Sequence, residues 1–324
     1  MSPNSPQPYL WKPAVDPDPI ALDRMAQAFS KPKSPMGEAW FMGTDREMFP
    51  QLFGNLDLLP DDDIARSLEE ITSGTSSFGQ LEEWTEWYHY LLPRLIRREW
   101  VPTFYQPAER LITAFMTQYA TSHGSQPYPN FQTDALNTLG RYIMSSHFWS
   151  DGQLDAVNCL SKWTGPTGIA GWSKAGNLLS ASLFFCIKYL PRSDVDGWFR
   201  SVVAIGNSYW QLQVITWLVG AHPILTGKIQ QPSEFPEDAS VNIEWDWSHI
   251  LDGNYSRNHE PQALQIPFLP AENCKVVLQI AGKMEVEEFL EGLWTDPKMN
   301  AITSEAAGIP ESFLQLYRTN RSTD

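Results

Sequence analysis

Apolar residues recur every three or four positions over most of this chain, which is the period of an α-helix with one buried face. The clearest run extends from Leu81 to Ile96, and charged residues fall mostly between its apolar positions. Pro93 lies inside this run and predicts a kink or a break in the helix. Further helices are predicted near 19–29, 61–71, 107–119, 133–148, 154–163, 271–284, 285–293 and 310–317.

The segment from Leu178 to Leu190 is apolar on nearly every side, so we expect it in the middle of the molecule. Residues that end or begin helices then follow at short intervals. The predicted signals are a stop at Pro191, a capping box from Ser193 to Asp196, a left-handed stop at Gly206 and Asn207, a cap at Ser208, and an end at Gly220 and Pro223.

Two helices joined by such a short turn form an antiparallel hairpin. Hairpins in series predict an all-α fold of stacked antiparallel helical hairpins, which is either HEAT-like or an irregular helical bundle. No motif repeats at a fixed period along the chain. The pattern therefore predicts an architecture and no particular family.

Two segments interrupt the helical pattern. Residues 1–36 contain eight prolines and predict an extended N-terminal arm, whose aromatic residues Tyr9 and Trp11 favour packing along the body. Residues 227–261 predict an irregular linker, in which apolar and polar residues alternate from 241 to 248 as in a strand or an extended clamp. The predicted organisation is an arm (1–36), a main helical body (37–226), this linker (227–261) and C-terminal helices that pack on the body (262–324).

The charge of the chain narrows its possible partners. Asp and Glu number 38 against 23 for Lys and Arg, so the formal net charge is −15. This charge repels phosphate groups and anionic lipids, and we expect binding to neither nucleic acid nor membranes. A protein with a basic surface would instead be attracted.

The cysteines and the N-terminal residues predict a cytoplasmic protein. Cys159, Cys186 and Cys274 are far apart and lie in apolar patterns, which is typical of small core residues in a reducing compartment. The first residues lack the basic and apolar regions of a secretory signal. The most apolar stretches are also too short to span a bilayer.

One short motif could bind a metal ion. Glu86 and His89 form an E-x-x-H pair on a predicted helix, with Glu82 one turn earlier, and this spacing can present carboxylates and an imidazole to one ion. Asp246 and His249 repeat the spacing in the irregular linker, whereas a helical di-metal site needs both motifs on helices. Because acid and histidine at this spacing commonly share a surface hydrogen bond, we expect no cofactor.

Gly165–Gly176 is the densest glycine run of the chain. Its backbone amides could hold an anion before the following helix. The run matches neither the phosphate-binding pattern G-x-x-x-x-G-K-[ST] nor G-x-G-x-x-G, and no predicted strand precedes it. We therefore expect a flexible connection between two halves of the body.

The chain contains 14 tryptophans. Five of them fall in apolar helical patterns and are predicted core residues: Trp84, Trp87, Trp198, Trp210 and Trp217. Trp245 and Trp247 instead lie beside Glu244 and Asp246, which favours partial exposure and a partner-binding surface. In the alternative, both indoles only hold the linker against the body.

Together these patterns predict a non-catalytic intracellular protein that binds another protein. An inhibitor or immunity-type protein that neutralises a basic effector is one concrete version. The first alternative is a helical enzyme with a metal site near Glu82, Glu86 and His89, or with an anion site at the glycine run. The second is a structural subunit of a larger assembly.

Overall fold

The structure is a computed structural model, and it describes residues 8–37, 47–77, 82–100, 107–120, 126–154, 163–164, 170–171, 176–235, 243, 245, 248–251, 267–286 and 308–318. The fold is mostly helical, as predicted. The described helices are α1 (Pro19–Ala28), α2 (Asp61–Ser77), α3 (Glu82–Arg97), α4 (Pro107–Gln118), α5 (Phe131–Thr138), α6 (Asn177–Tyr189), α7 (Arg192–Val203), α8 (Ser208–Leu225), α9 (Ala271–Ala281) and α10 (Ile309–Tyr317).

Short elements connect these helices. The described strands form three antiparallel pairs: β1 (Met36–Gly37) with β2 (Glu47–Met48), β3 (Trp149–Ser150) with β4 (Gln153–Leu154), and β5 (Trp163–Thr164) with β6 (Ala170–Gly171). Turns of 3₁₀ helix cover Pro50–Phe53, Leu56–Leu58, Leu139–Met144, Pro232–Glu234 and Ser248–Leu251. Because each described sheet has only two short strands, helices build the core.

Most predicted helices are confirmed within a few residues. Helix α3 runs unbroken through Pro93, so the predicted break does not occur. The helix predicted at 133–148 is shorter, because α5 ends at Thr138 and 3₁₀ helix follows. The helices predicted at 154–163 and 285–293 lie mostly outside the described residues.

The boundaries of α7 differ from the predicted signals. Pro191 is the N-cap residue of α7, and no side chain caps the first turn, so the predicted capping box at Ser193 and Asp196 is wrong. Pro191 has an extended backbone with ψ 143°, as is typical of an N-cap residue, and the helix begins directly after it. The predicted left-handed stop at Gly206 is also wrong, because α7 ends at Val203 and Gly206 has no positive φ.

Helix α8 begins one residue earlier and ends later than the local signals predict. The side chain of Asn207, and not that of Ser208, caps it by accepting a hydrogen bond from the Trp210 N–H at 3.1 Å. The helix then continues through Gly220 and Pro223 instead of ending there. Its residues are buried on almost every side, and this burial outweighs the weak helix propensity of glycine and proline.

The largest helix interfaces join helices that are far apart in the sequence. Helix α4 packs mainly on α2 and next on α6, α7 packs mainly on α9, and α8 packs mainly on α10. Helices α6, α7 and α8 follow one another through short turns, yet their main partners are other helices. The packing therefore differs from a plain series of hairpins between sequence neighbours.

The core is centred on α6, where every residue from Leu178 to Leu190 is buried, as predicted. The thiols of Cys186 and Cys274 are free and buried. Burial raises the pKa of both thiols to about 12, so neither is a reactive thiolate. Both cysteines are core residues, as expected, and Cys159 lies outside the described residues.

The N-terminal arm packs along the body from its aromatic residues onward. Trp11 is 2% exposed, donates its Nε1–H to the carbonyl of Gly140 at 2.8 Å, and packs edge-on against Trp198. Backbone hydrogen bonds of 3.0 Å then join the N–H of Val15 and that of Asp18 to the body. Within the described residues, no helix combines the length and the apolar character needed to cross a bilayer.

Candidate functional site

Trp245, a predicted partner-binding residue, lies in the core. It is 5% exposed, its ring stacks on Phe184 with centroids 5.2 Å apart, and its Nε1–H donates to Thr113 Oγ1 at 3.0 Å. The predicted partial exposure of Trp245 is therefore wrong, because a buried hydroxyl satisfies the indole N–H and the whole side chain can leave water. These contacts fit the alternative in which the residue holds the linker against the body.

The other predicted partner-binding residues, Glu244, Asp246 and Trp247, lie outside the described residues. Ile243, which shares the alternating pattern with Trp245, is also buried. The two described apolar residues of the alternating pattern therefore both lie in the core. The binding role of the remaining residues stays a prediction.

The three metal candidates lie on the first turns of α3. Glu82 and Glu86 are exposed, whereas His89 points into an aromatic cluster and stacks on Phe29 with ring centroids 4.4 Å apart. The Nε2 atom of His89 shares a 2.5 Å hydrogen bond with the hydroxyl of Tyr119, and burial lowers the pKa of the imidazole to about 4. No group of three acidic, histidine or cysteine side chains in the described part of the chain is arranged to hold a metal ion.

The glycine run and the second acid–histidine pair fall largely outside the described residues. Of the run, Ala170 and Gly171 form β6, and the N–H of Gly176 donates to Gln213 Oε1 at 2.7 Å. Asp246 and the side chain of His249 are not described. The anion site and the flexible connection therefore both stay predictions.

Helices α2 and α3 each bury one face. On α2, Ile64, Leu68 and Ile71 are fully buried, and on α3 the same holds for Tyr88 and Leu91. These residues follow the helical spacing of three and four that the sequence shows. The buried faces fix both helices in the core and leave their charged residues at the surface.

Acids outnumber bases on these two helices, and the bases of α3, Arg94 and Arg97, lie in its last turn. Residues 61–86, which we call the acidic segment, contain eight acids and one base, Arg66. The acids are Asp61, Asp62, Asp63, Glu69, Glu70, Glu82, Glu83 and Glu86. Three of the acids begin α2 and two begin α3, where the helix dipole favours negative charge.

Arginines hold part of the acidic segment in place. Arg98 Nη2 lies 2.8 Å from Asp61 Oδ1, and both side chains are only 14% exposed. Arg66 contacts Asp63 at 3.2 Å on the helix surface. The exposed acids Asp62, Glu82 and Glu86 form no ion pair with the described residues.

No protein-family model, curated protein or solved structure matches this chain. Its function is therefore inferred from the chemistry of its own residues. Two surface features within the described ranges bear on that function. They are the acidic segment and a cleft beside the N-terminal arm.

The cleft has a volume of about 670 Å³ and opens where the arm, the β3–β4 turn and the α7–α8 turn meet. Trp11 and Trp149 contribute to its walls, and Asn207 and Tyr209 lie at the start of α8 beside it. Lys12 is the one charged side chain in the described part of the lining. The cleft therefore lacks the acidic character of the acidic segment.

The sequence patterns did not predict this cleft. Its walls come from three segments that are far apart in the chain, and helical periodicity carries no information on which segments meet. The one sequence signal for this region was Trp11, which predicted that the arm packs on the body. It did not indicate which part of the body the arm contacts. The acidic segment, in contrast, is visible in the sequence as eight acids within 26 positions.

Proposed function

We propose that this protein is a non-catalytic helical protein that binds another protein, and that its partner has a basic surface. The observation that carries the proposal is the excess of eight acids over one base in the acidic segment. The apolar faces of α2 and α3 are buried in the core, so the acids on the other faces lie on a rigid support. Such a surface attracts a protein of opposite charge and speeds its association.

The scaffold in this proposal is an irregular helical bundle. The packing of α7 on α9 and of α8 on α10 supports this architecture over a HEAT-like series of adjacent hairpins. The free, buried thiols of Cys186 and Cys274 support a reducing, intracellular location. An inhibitor or immunity-type protein is the concrete version, because such a protein needs a complementary surface and no reacting groups of its own.

The test compares partner capture from a native cell lysate at low and at high salt. The bait is the wild-type chain or the triple variant Asp62→Asn/Glu82→Gln/Glu86→Gln, which removes three exposed charges of the acidic segment. We expect the wild type to retain a basic protein at low salt and to release it at high salt, because salt screens exposed charges. The triple variant should retain less of the same protein.

A matched control removes the same number of charges elsewhere. The variant Asp151→Asn/Glu285→Gln/Glu311→Gln alters exposed acids on other parts of the surface. Its retention of the partner should stay close to that of the wild type. Equal losses in both triple variants would assign the effect to net charge alone, and capture of no protein at either salt concentration would show that the proposal is wrong.

A further inference from the structure

The cleft beside the N-terminal arm has an inner wall of packed indole rings. Trp11 and Trp149, which line it, lie edge-on to Trp210 with ring centroids 6.0 and 5.7 Å away. The Nε1–H of Trp11 donates to the carbonyl of Gly140 at 2.8 Å, and that of Trp149 donates to the carbonyl of Ile143 at 3.0 Å. Because both indole N–H groups are satisfied within the protein, this wall offers mainly carbon atoms to a ligand.

The arm, which forms one side of the cleft, is fixed to the body. The N–H of Trp11 donates to Ser201 Oγ at 2.8 Å, and Arg141 Nη1 donates to the carbonyl of Leu10 at 2.7 Å. A backbone hydrogen bond from the N–H of Val15 holds the chain on the far side of the cleft-lining residues. The cleft is therefore already formed before a ligand binds, which lowers the entropy cost of binding.

The start of α8 contributes polar groups to the lining. Asn207 and Ser208 both line the cleft, and Asn207 Oδ1 is occupied as the cap of the Trp210 N–H. The N–H of Ser208 forms no hydrogen bond with the part of the chain that the structure describes. It lies in the first turn of an 18-residue helix, where the helix dipole is positive. This unused donor favours a negatively charged group.

Lys12 gives the cleft its one charge among the described lining residues. Its side chain is exposed and pairs with no described acid. Of the described acids, Asp16 and Asp151 are closest in sequence to the lining, and neither is part of it. Asp16 accepts from the N–H and the hydroxyl of Ser146 at 2.8 Å each, and Asp151 is exposed in the β3–β4 turn. The described lining itself is therefore positively charged.

These features define the chemistry of a ligand. The cleft volume of about 670 Å³ lies within the range of small-molecule sites, roughly 300–1,000 Å³. One ammonium group and one backbone N–H match a single negative charge. Ligands with several phosphate groups are disfavoured, because the net charge of the chain is −15.

We propose that this cleft binds a small organic molecule with a planar ring and one negatively charged group, as in an aromatic carboxylate or sulfonate. The ring packs on Trp11 and Trp149, and the charged group meets Lys12 and the N–H of Ser208. The described lining shares no residue with the acidic segment, so this inference goes beyond the proposed function and does not depend on it.

The experiment titrates the full-length protein into anilinonaphthalene sulfonate, a dye whose fluorescence rises in apolar surroundings. Phenylnaphthylamine, which has the same rings and no sulfonate, is the neutral probe. We expect one saturable site for the sulfonate dye on the wild type. Lys12→Gln should weaken its binding roughly 2- to 5-fold and leave the neutral dye unaffected, as expected for one exposed ion pair. Lys33→Gln, at an exposed lysine outside the described lining, is the matched control and should change neither affinity.

A second variant fills the cleft. Gly206 lines the cleft and has no positive φ, and no atom lies within 4 Å of a Cβ added there. Gly206→Leu should therefore fold normally and weaken both dyes roughly 10-fold or more, because the leucine occupies space that the ring needs. Gly308→Leu adds the same side chain at an equally open position outside the described lining and should bind both dyes like the wild type. Urea unfolding midpoints of both variants check their folding.

Several outcomes would overturn this inference. If the wild type shows no saturable binding of the sulfonate dye, or if Gly206→Leu binds both dyes as tightly as Gly308→Leu does, the cleft is not the binding site. An unchanged sulfonate affinity in Lys12→Gln, or an equal loss in Lys33→Gln, would show that the site does not select a negative charge. None of these results affects the capture of a basic protein by the acidic segment, which the two triple variants test.

Discussion

Lys188 is a basic residue in an almost wholly apolar environment. It lies on α6, is 7% exposed, and donates from Nζ to the carbonyl of Phe268 at 2.7 Å, with the Phe268 ring centroid 4.2 Å away. Burial lowers the pKa of its ammonium group from 10.5 to about 7. The charged form is thus costly in the folded protein, and the amine is partly neutral near pH 7.

We predict that Lys188→Met stabilises the protein at about pH 6 and does so less at about pH 9. Between the folded pKa of about 7 and the unfolded value of 10.5, the unfolded chain binds more protons, so wild-type stability rises with pH in this window. Methionine lacks this dependence. Urea unfolding of both proteins at the two pH values measures the difference, and a gap that does not change with pH would contradict the prediction. Lys275→Met, at an exposed position on α9, is the control.

His89 gives a second pH dependence, at lower pH. Its pKa is lowered from 6.5 to about 4 by burial, so the unfolded chain binds more protons between these values and stability falls as pH falls through them. This imidazole alone should lower the free energy of unfolding by about 2 kcal/mol at about pH 5 relative to pH 7. The variant His89→Phe should lack this component. The unfolding free energies of variant and wild type at both pH values measure this component. The contribution of the carboxylates is common to both proteins and cancels in the difference.

At the scale of elements, the N-terminal arm shows how a proline-rich segment becomes part of a helical fold. The hydroxyl of Tyr9 donates to the carbonyl of Leu136 at 2.8 Å and lies where a side chain at Gly140 would be. A Cβ atom at Gly140 would come within 2.7 Å of this hydroxyl and 3.3 Å of the Phe185 ring. The arm and the start of the 3₁₀ segment therefore fit together only because residue 140 has no side chain.

We predict that Gly140→Ala destabilises the protein by about 1–3 kcal/mol through overpacking. In the background of Tyr9→Phe, which removes the hydroxyl, the same substitution should cost less. Urea unfolding of the two single variants and the double variant measures this coupling. Strictly additive effects would contradict the proposed contact. Gly206→Ala, where no atom lies within 4 Å of the added Cβ, is the control and should change stability little.

At the scale of the whole molecule, the net charge of −15 opposes compaction. Acids exceed bases most strongly in the acidic segment, so part of the self-repulsion of the folded chain arises there. Added salt screens this repulsion over distances of about 10 Å at 0.1 M.

We therefore predict that the melting temperature of the wild type rises when sodium chloride increases from low to moderate concentration. The triple variant Asp62→Asn/Glu82→Gln/Glu86→Gln should show a smaller rise, because it carries less repulsive charge. Thermal unfolding at several salt concentrations measures both slopes. Identical slopes would show that the acidic segment contributes no special repulsion.

The sequence predicted the helices well where burial follows local periodicity. The apolar spacing of α2 and α3 gave the correct buried faces, and the continuous apolar run predicted the central place of α6. The acidic segment was equally visible, because charge is a property of composition. In contrast, the exposure of Trp245 was misjudged from its acidic neighbours, since Thr113 and Phe184, which cover it, are distant in the chain.

The sequence by itself determined the helical class, the buried stripe of each helix and the acidity of 61–86, because these depend on residue order within a few turns. The tertiary structure alone decided that α8 continues through Gly220 and Pro223, that the arm fills a slot beside Gly140, and that Arg98 fixes the turn before α2 through the carbonyls of Leu56 and Leu59. Each of these outcomes depends on contacts between segments far apart in the chain. Such contacts override local propensity when they bury more surface or satisfy more hydrogen bonds than the local alternative.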